Sequence, residues 1–267
     1  MTMNKINVSM ADGIFVIELN DPPANTYSYD MMREIDAAIL GARMDDSVHV
    51  IVIRGAGEKF FCAGANISML KEAAPEFKYY FCLHANETLT RLEQTPKLVI
   101  AALNGHTVGG GLEVALAADI RLARKDAGKI GLPEVMLGVL PGTGGTQRLA
   151  RLVGKARAIE LMATGRLMSF DEARDLGIVH EVWGEAELKG RSFADAALDY
   201  ARQFTPPHKA SGAVGRMKRA VQSGSEAGFL EGLSLERELQ QLLFQSEDAR
   251  EGIAASLEKR KPVFKGR

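Results

Sequence analysis

Two six-residue stretches, Val48–Ile53 and Leu98–Leu103, are apolar almost without interruption, and no other feature constrains the fold as much. A strand with one solvated face alternates apolar and polar residues, whereas a strand apolar throughout is covered on both faces, as in a parallel sheet under helices. Between Ser28 and Asp45, Met31, Ile35, Ala38, Ile39 and Ala42 keep the three-to-four spacing of an amphipathic helix. Ahead of it, Ile14, Val16 and Ile17 follow a Gly13 turn and end at Asp21-Pro22-Pro23, so the first 20 residues read as strands. A loop through Phe60–Ala65 leads into a helical stretch ending near Glu93, and Gly109-Gly110-Gly111 turns the second buried strand into another helix. Strands alternating with helices predict an α/β fold with largely parallel pairing. Beyond about residue 143 the pattern becomes mostly helical. The prolines of Thr205-Pro206-Pro207 then divide a core, residues 1–204, from a helical region, residues 205–267. Leu235, Leu239, Leu242 and Leu243 share one face of that region, which must bury itself on the core or on another subunit.

Charge narrows the partners. With 33 Lys+Arg against 34 Asp+Glu the net charge is −1, which gives no long-range attraction for nucleic acid or an anionic membrane surface. No run of about 18 apolar residues and no secretory signal pattern is visible, so a cytoplasmic protein without a membrane span is expected. Cys62 and Cys82 match no zinc spacing and cannot form a disulfide framework, in keeping with a reducing compartment. The five histidines are scattered without metal-ligand spacing, and no metal site is expected.

The informative charges are the isolated ones. Residues 98–118 carry a single charge, Glu113, and residues 130–147 again a single one, Glu134. A carboxylate in apolar surroundings has its pKa raised, and it persists when paired, locally solvated or used in chemistry. Glu113 also sits one helical turn beyond Gly110, in a glycine cluster at a helix start. Backbone N–H groups there are unpaired and can hold a developing oxyanion, and glycine lets a ligand approach closely. An oxyanion donor beside a carboxyl acid or base suits chemistry at carbons next to a carbonyl or thioester.

Several blocks together carry a resemblance. Phe61-Cys62-Ala63-Gly64-Ala65-Asn66-Ile67, Ala102–Gly105 running into Gly109–Glu113, Leu132-Pro133-Glu134 and Pro141–Leu149 resemble, in order, the signature blocks of the crotonase (enoyl-CoA hydratase/isomerase) superfamily. The closing Glu258–Lys265 is similar as well. The resemblance implies a crotonase spiral of ββα units followed by a helical region used in trimerisation. It implies that Ala65 and Gly110 supply the N–H groups of an oxyanion hole and that Glu113 and Glu134 are the catalytic pair of the hydratase branch. Ala63, Gly64, Asn66, Ile67 and Gly142 then line the acyl-CoA site, Ala63 through its backbone. The implied activity is reversible addition of water to a trans-2-enoyl-CoA, giving a 3-hydroxyacyl-CoA, in a homotrimer or a dimer of trimers. No cofactor beyond the CoA of the substrate is expected, because hydration transfers no electrons. The alternative is an enoyl-CoA isomerase or another acyl-CoA lyase or hydrolase of the superfamily. Asn66 stands where Asp is common, and Ser68 where several hydratases carry a Lys facing the CoA phosphates.

Overall fold

The computed structural model describes residues 3–267. Strands β1 (Ile6–Ala11) and β2 (Ile14–Leu19) pair antiparallel around the Asp12-Gly13 turn, and Ser28 caps helix α1 (Tyr29–Met44) by accepting from the Met31 N–H. The chain then repeats one unit. β3 (Val50–Gly55), β4 (Phe60–Cys62), α2 (Ile67–Glu72) and α3 (Pro75–Glu93) make the first turn; β5 (Leu98–Leu103), β6 (His106–Val108) and α4 (Gly110–Leu116) make the second. β7 (Ile120–Arg124), β8 (Ile130–Gly131), a 3-10 turn (Glu134–Leu137) and α5 (Gly145–Val153) make the third. Each unit gives its first strand to a six-stranded sheet, ordered β1-β2-β3-β5-β7-β9, and its second to a three-stranded parallel sheet, β4-β6-β8. This is the expected spiral of ββα units.

The alternation of side chains explains why β3 and β5 are apolar throughout. Ile51, Ile53, Val99, Ala101 and Leu103 face a core shared with Ile35 and Ile39 of α1, Leu89 of α3 and Leu112 of α4. Val50, Val52, Leu98, Ile100 and Ala102 face a second core under Trp183 and Phe193. The sheet is sandwiched, so neither face tolerates polar residues.

After α6 (Lys155–Thr164) and α7 (Phe170–Asp175), one strand interrupts the mostly helical region expected there. β9 (Glu181–Trp183) adds to the edge of the large sheet beside β7. Three residues are too few to show a two-residue period, so the strand exists only by virtue of its neighbour. The helical stretch expected to end near Glu93 consists of two helices, because Pro75 can open α3 but cannot continue α2. Helices α8 (Glu185–Leu188), α9 (Phe193–Arg202), α10 (Ser211–Gly224), α11 (Phe229–Phe244) and α12 (Glu247–Leu257) complete the chain. No helix among the described residues is long and apolar enough to cross a membrane.

Two buried cations lock the second unit in place. Arg121 donates to the carbonyls of Ala118 (2.5 Å) and Ala115 (3.4 Å), closing the C-terminal end of α4, and to Ile178 (2.6 Å). Lys218 of α10 pairs with Asp119 at 2.9 Å and donates to the Lys97 carbonyl at 3.1 Å. A short helix with its last carbonyls held by a buried guanidinium is a rigid base for what its first turn carries.

Candidate active site

Glu113 lies in the first turn of α4 and is 2% exposed. Its Oε1 accepts from the N–H groups of Thr143 (2.8 Å) and Gly145 (2.7 Å), and its Oε2 accepts from the Thr143 hydroxyl. A carboxylate offers about four lone-pair positions, two on each oxygen. Three are occupied, and the one left over belongs to Oε2. Burial pushes the Glu113 carboxyl up, and the donors from Thr143 and Gly145 oppose that shift.

Glu134 opens the 3-10 turn, and its Oε2 is buried with no hydrogen-bond partner among the described residues. Desolvation, with a smaller push from the charge on Glu113, raises its carboxyl to about 7. An orphaned, half-buried carboxyl titrating near neutrality is a proton store.

The Gly109 backbone, at φ +58°, lies so close to Glu134 that a Cβ there would stand 3.0 Å from Oε1. Gly64, at φ +90°, brings its own backbone against Gly110: a Cβ on Gly64 would sit 3.1 Å from the Gly110 nitrogen. Both glycines occupy the left-handed region that other residues avoid. Main-chain bonds hold the 63–67 loop. Ala63 donates to Ala24 (3.1 Å), Tyr27 donates to Gly64 (3.0 Å), and Asn66 donates to Tyr27 (2.9 Å). The N–H groups of Ala65 and Gly110 take no acceptor among the described residues.

The remaining sequence-derived residues border this centre. Gly142 accepts from Asn86 at 3.1 Å and precedes Thr143; a Cβ on it would meet Cys82 Sγ at 3.2 Å. Asn66 caps α2 by accepting from Met69 at 3.0 Å, and Ile67 is exposed at the outer edge. His106 lies in the glycine-rich turn but packs on the Phe60 ring and accepts from the Lys129 N–H. Reasoning from charge and spacing missed Tyr27 and the roles of Thr143 and Gly145. Their signal is spatial: Tyr27 reaches Thr143 across 116 residues.

A buried carboxylate with one free lone pair, a second carboxyl near neutrality and two unclaimed N–H groups suit acid–base chemistry beside an oxyanion. Comparison with known proteins agrees. The model of the enoyl-CoA hydratase/isomerase family matches residues 9–267. The chain belongs to this family. A short-chain-enoyl-CoA hydratase of Clostridium acetobutylicum is 37% identical over 98% of this chain and 97% of its own. Among solved structures, an enoyl-CoA hydratase from Geobacillus kaustophilus superposes with a TM-score of 0.94 at 44% identity, covering 100% of this chain and 98% of the other. One from Bacillus anthracis gives 0.91 at 34% identity, covering 99% of this chain and 100% of the other. Membership of the enoyl-CoA hydratase/isomerase family makes an acyl-CoA thioester the substrate class and agrees with the sheet pair and helices of the fold.

Proposed function

We propose that this enzyme hydrates trans-2-enoyl-CoA thioesters reversibly to 3-hydroxyacyl-CoA. The observation that carries the reading is the pairing of Glu113, its single free lone pair on Oε2, with Glu134, whose carboxyl holds a proton near neutrality. Water held between them loses a proton to Glu113 Oε2 as its oxygen bonds to C3. Electrons move into the thioester, whose oxygen is received by the Ala65 and Gly110 N–H groups. Glu134 delivers its proton to C2. Both new bonds form on the face the two carboxyls share, so addition is syn. An isomerase needs one carboxyl and no water, and the presence of both favours hydration. Purified protein incubated with crotonyl-CoA is expected to lose the conjugated thioester absorbance and yield 3-hydroxybutyryl-CoA; an unchanged substrate contradicts the reading.

The dyad sets the pH dependence. Hydration begins with Glu113 ionised and Glu134 protonated, and ends with the proton on Glu113; both states hold one proton in total. The kcat/KM profile is therefore bell-shaped, with the same limbs for hydration and dehydration. Its alkaline limb falls as the shared proton is lost, at about 7. Kinetics across roughly pH 5 to 9 in both directions test this. A profile without an alkaline limb, or limbs that differ between directions, contradicts it.

The 63–67 loop and Gly142 are assigned to the acyl-CoA, with Ala63 and Ile67 on its accessible rim. No further cofactor enters the scheme, because no electrons are transferred. A trimer or dimer of trimers is part of the reading, supported by the apolar side chains left exposed on the C-terminal helices: Val221 (67%), Phe229 (79%), Leu230 (72%) and Leu257 (81%). Light scattering reads the number of chains directly. The free thiols of Cys62 and Cys82 fit the proposed cytoplasmic location.

A further inference from the structure

Tyr27 is fully buried in the loop between β2 and α1, yet its hydroxyl reaches the centre of the site. Three separate contacts converge on it. Its main chain clamps the oxyanion loop, donating to Gly64 at 3.0 Å and accepting from Asn66 at 2.9 Å on either side of Ala65. Its ring backs the other oxyanion position, so that a Cβ on Gly110 would stand 2.5 Å from Cε1 and 2.2 Å from the hydroxyl oxygen. Its hydroxyl lies 3.2 Å from Thr143 Oγ1, which in turn bonds Glu113 Oε2.

The direction of that chain follows from counting protons. An ionised Glu113 can only accept, so the single hydroxyl proton of Thr143 points at Oε2. Thr143 Oγ1 then has only acceptor capacity left, and the Tyr27 hydroxyl must donate to it. Burial, and after it the charge on Glu113, push the Tyr27 phenol well above its ordinary range, so it remains a neutral donor. Hydrogen bonds in such a chain polarise one another, and Thr143 becomes a stronger donor to the carboxylate.

We propose that Tyr27 is a positioning residue of this site. Its hydroxyl, acting through Thr143, fixes the Glu113 carboxylate with the Oε2 lone pair presented to the reacting water, while its ring and main chain hold Gly110 and Ala65 in register. The role of that water rests on the hydratase reading above; the hold on Glu113 does not. Other titratable groups facing this carboxyl are Cys82 from α3, Arg148 from α5 and Glu134 from the 3-10 turn, while Cys62 faces Tyr27. Arg148 is engaged by Glu93 at 2.9 Å, which leaves the hydroxyl chain as the adjustable donor.

Tyr27→Phe keeps the ring against Gly110 and Phe81 and deletes only the hydroxyl. It is expected to lower kcat about 5–10-fold, the weight of one hydrogen bond, with KM within about twofold. The acid limb of the pH profile moves to higher pH, because the ionised form of Glu113 has lost support. Thr143→Val carries both changes further, and Thr143→Ser, which keeps a hydroxyl, recovers most of that loss. A wild-type kcat and acid limb in Tyr27→Phe overturns the proposal, as does a fall in kcat with the limb unmoved, which marks packing alone. A readout without turnover is pH-difference infrared spectroscopy, with the Glu113 carboxyl band identified by its disappearance in Glu113→Gln. That band is expected to titrate at higher pH in Tyr27→Phe, and an unchanged titration overturns the proposal. If the wild-type protein does not hydrate crotonyl-CoA, the hydratase reading fails by itself and the infrared titration still decides the role of Tyr27.

Discussion

Glu113→Gln and Glu134→Gln are each expected to lower kcat by at least about 10²–10³, the usual share of a general acid or base. A glutamine at 113 can still present its carbonyl to the Thr143 and Gly145 N–H groups that Oε1 now receives, so the fold is retained. What disappears is the proton acceptor on the other side of the group. Glutamine at 134 removes an unpartnered oxygen and with it the proton destined for C2. The double variant should be far from multiplicative, because both groups act on one addition and either loss stops it. Steady-state kinetics on the two single variants and the double variant, with thermal melts to confirm folding, measure this. Wild-type-like turnover in either single variant rejects the two-carboxyl mechanism.

Gly110→Ala is expected to cost about 10²–10³ in kcat/KM, the weight of one oxyanion donor, although it leaves the N–H in place. The reason is steric. The added Cβ would fall 2.2 Å from the Tyr27 hydroxyl and 2.6 Å from Cζ, and that ring is packed against Phe81. Either the ring yields, taking Thr143 with it, or the first turn of α4 shifts and carries the donor out of line. Proline at this position fits the first turn of a helix by general rules, but its Cβ meets the same ring. Circular dichroism should change little, since α4 is only 7 residues long. A folded Gly110→Ala protein within a few-fold of wild type contradicts the tight seating of this donor against the Tyr27 ring.

How much of this was readable beforehand divides along a physical line. Features set by local sequence were legible: the doubly buried strands, α1, and the two carboxyls as lone charges in apolar windows. Contacts set by the turns of the spiral were not. Thr143 meets Glu113 across 30 residues and Tyr27 meets Thr143 across 116, and no periodicity encodes either encounter. β9 escaped notice because a three-residue edge strand takes its conformation from its neighbour. Asn66 shows a third kind of limit: its side chain caps α2, a local duty that a residue marked as a substrate contact can carry at the same time.

The central claim is that two carboxyls on one side of the acyl chain add one water. Its most direct test is turnover of crotonyl-CoA in water labelled with both oxygen-18 and deuterium. Wild-type protein is predicted to give 3-hydroxybutyryl-CoA with the heavy oxygen on C3 and a single deuterium on C2, both on the same face. Glu113→Gln and Glu134→Gln are predicted to lose both labels together. Product without heavy oxygen, or with the two labels on opposite faces, contradicts the account.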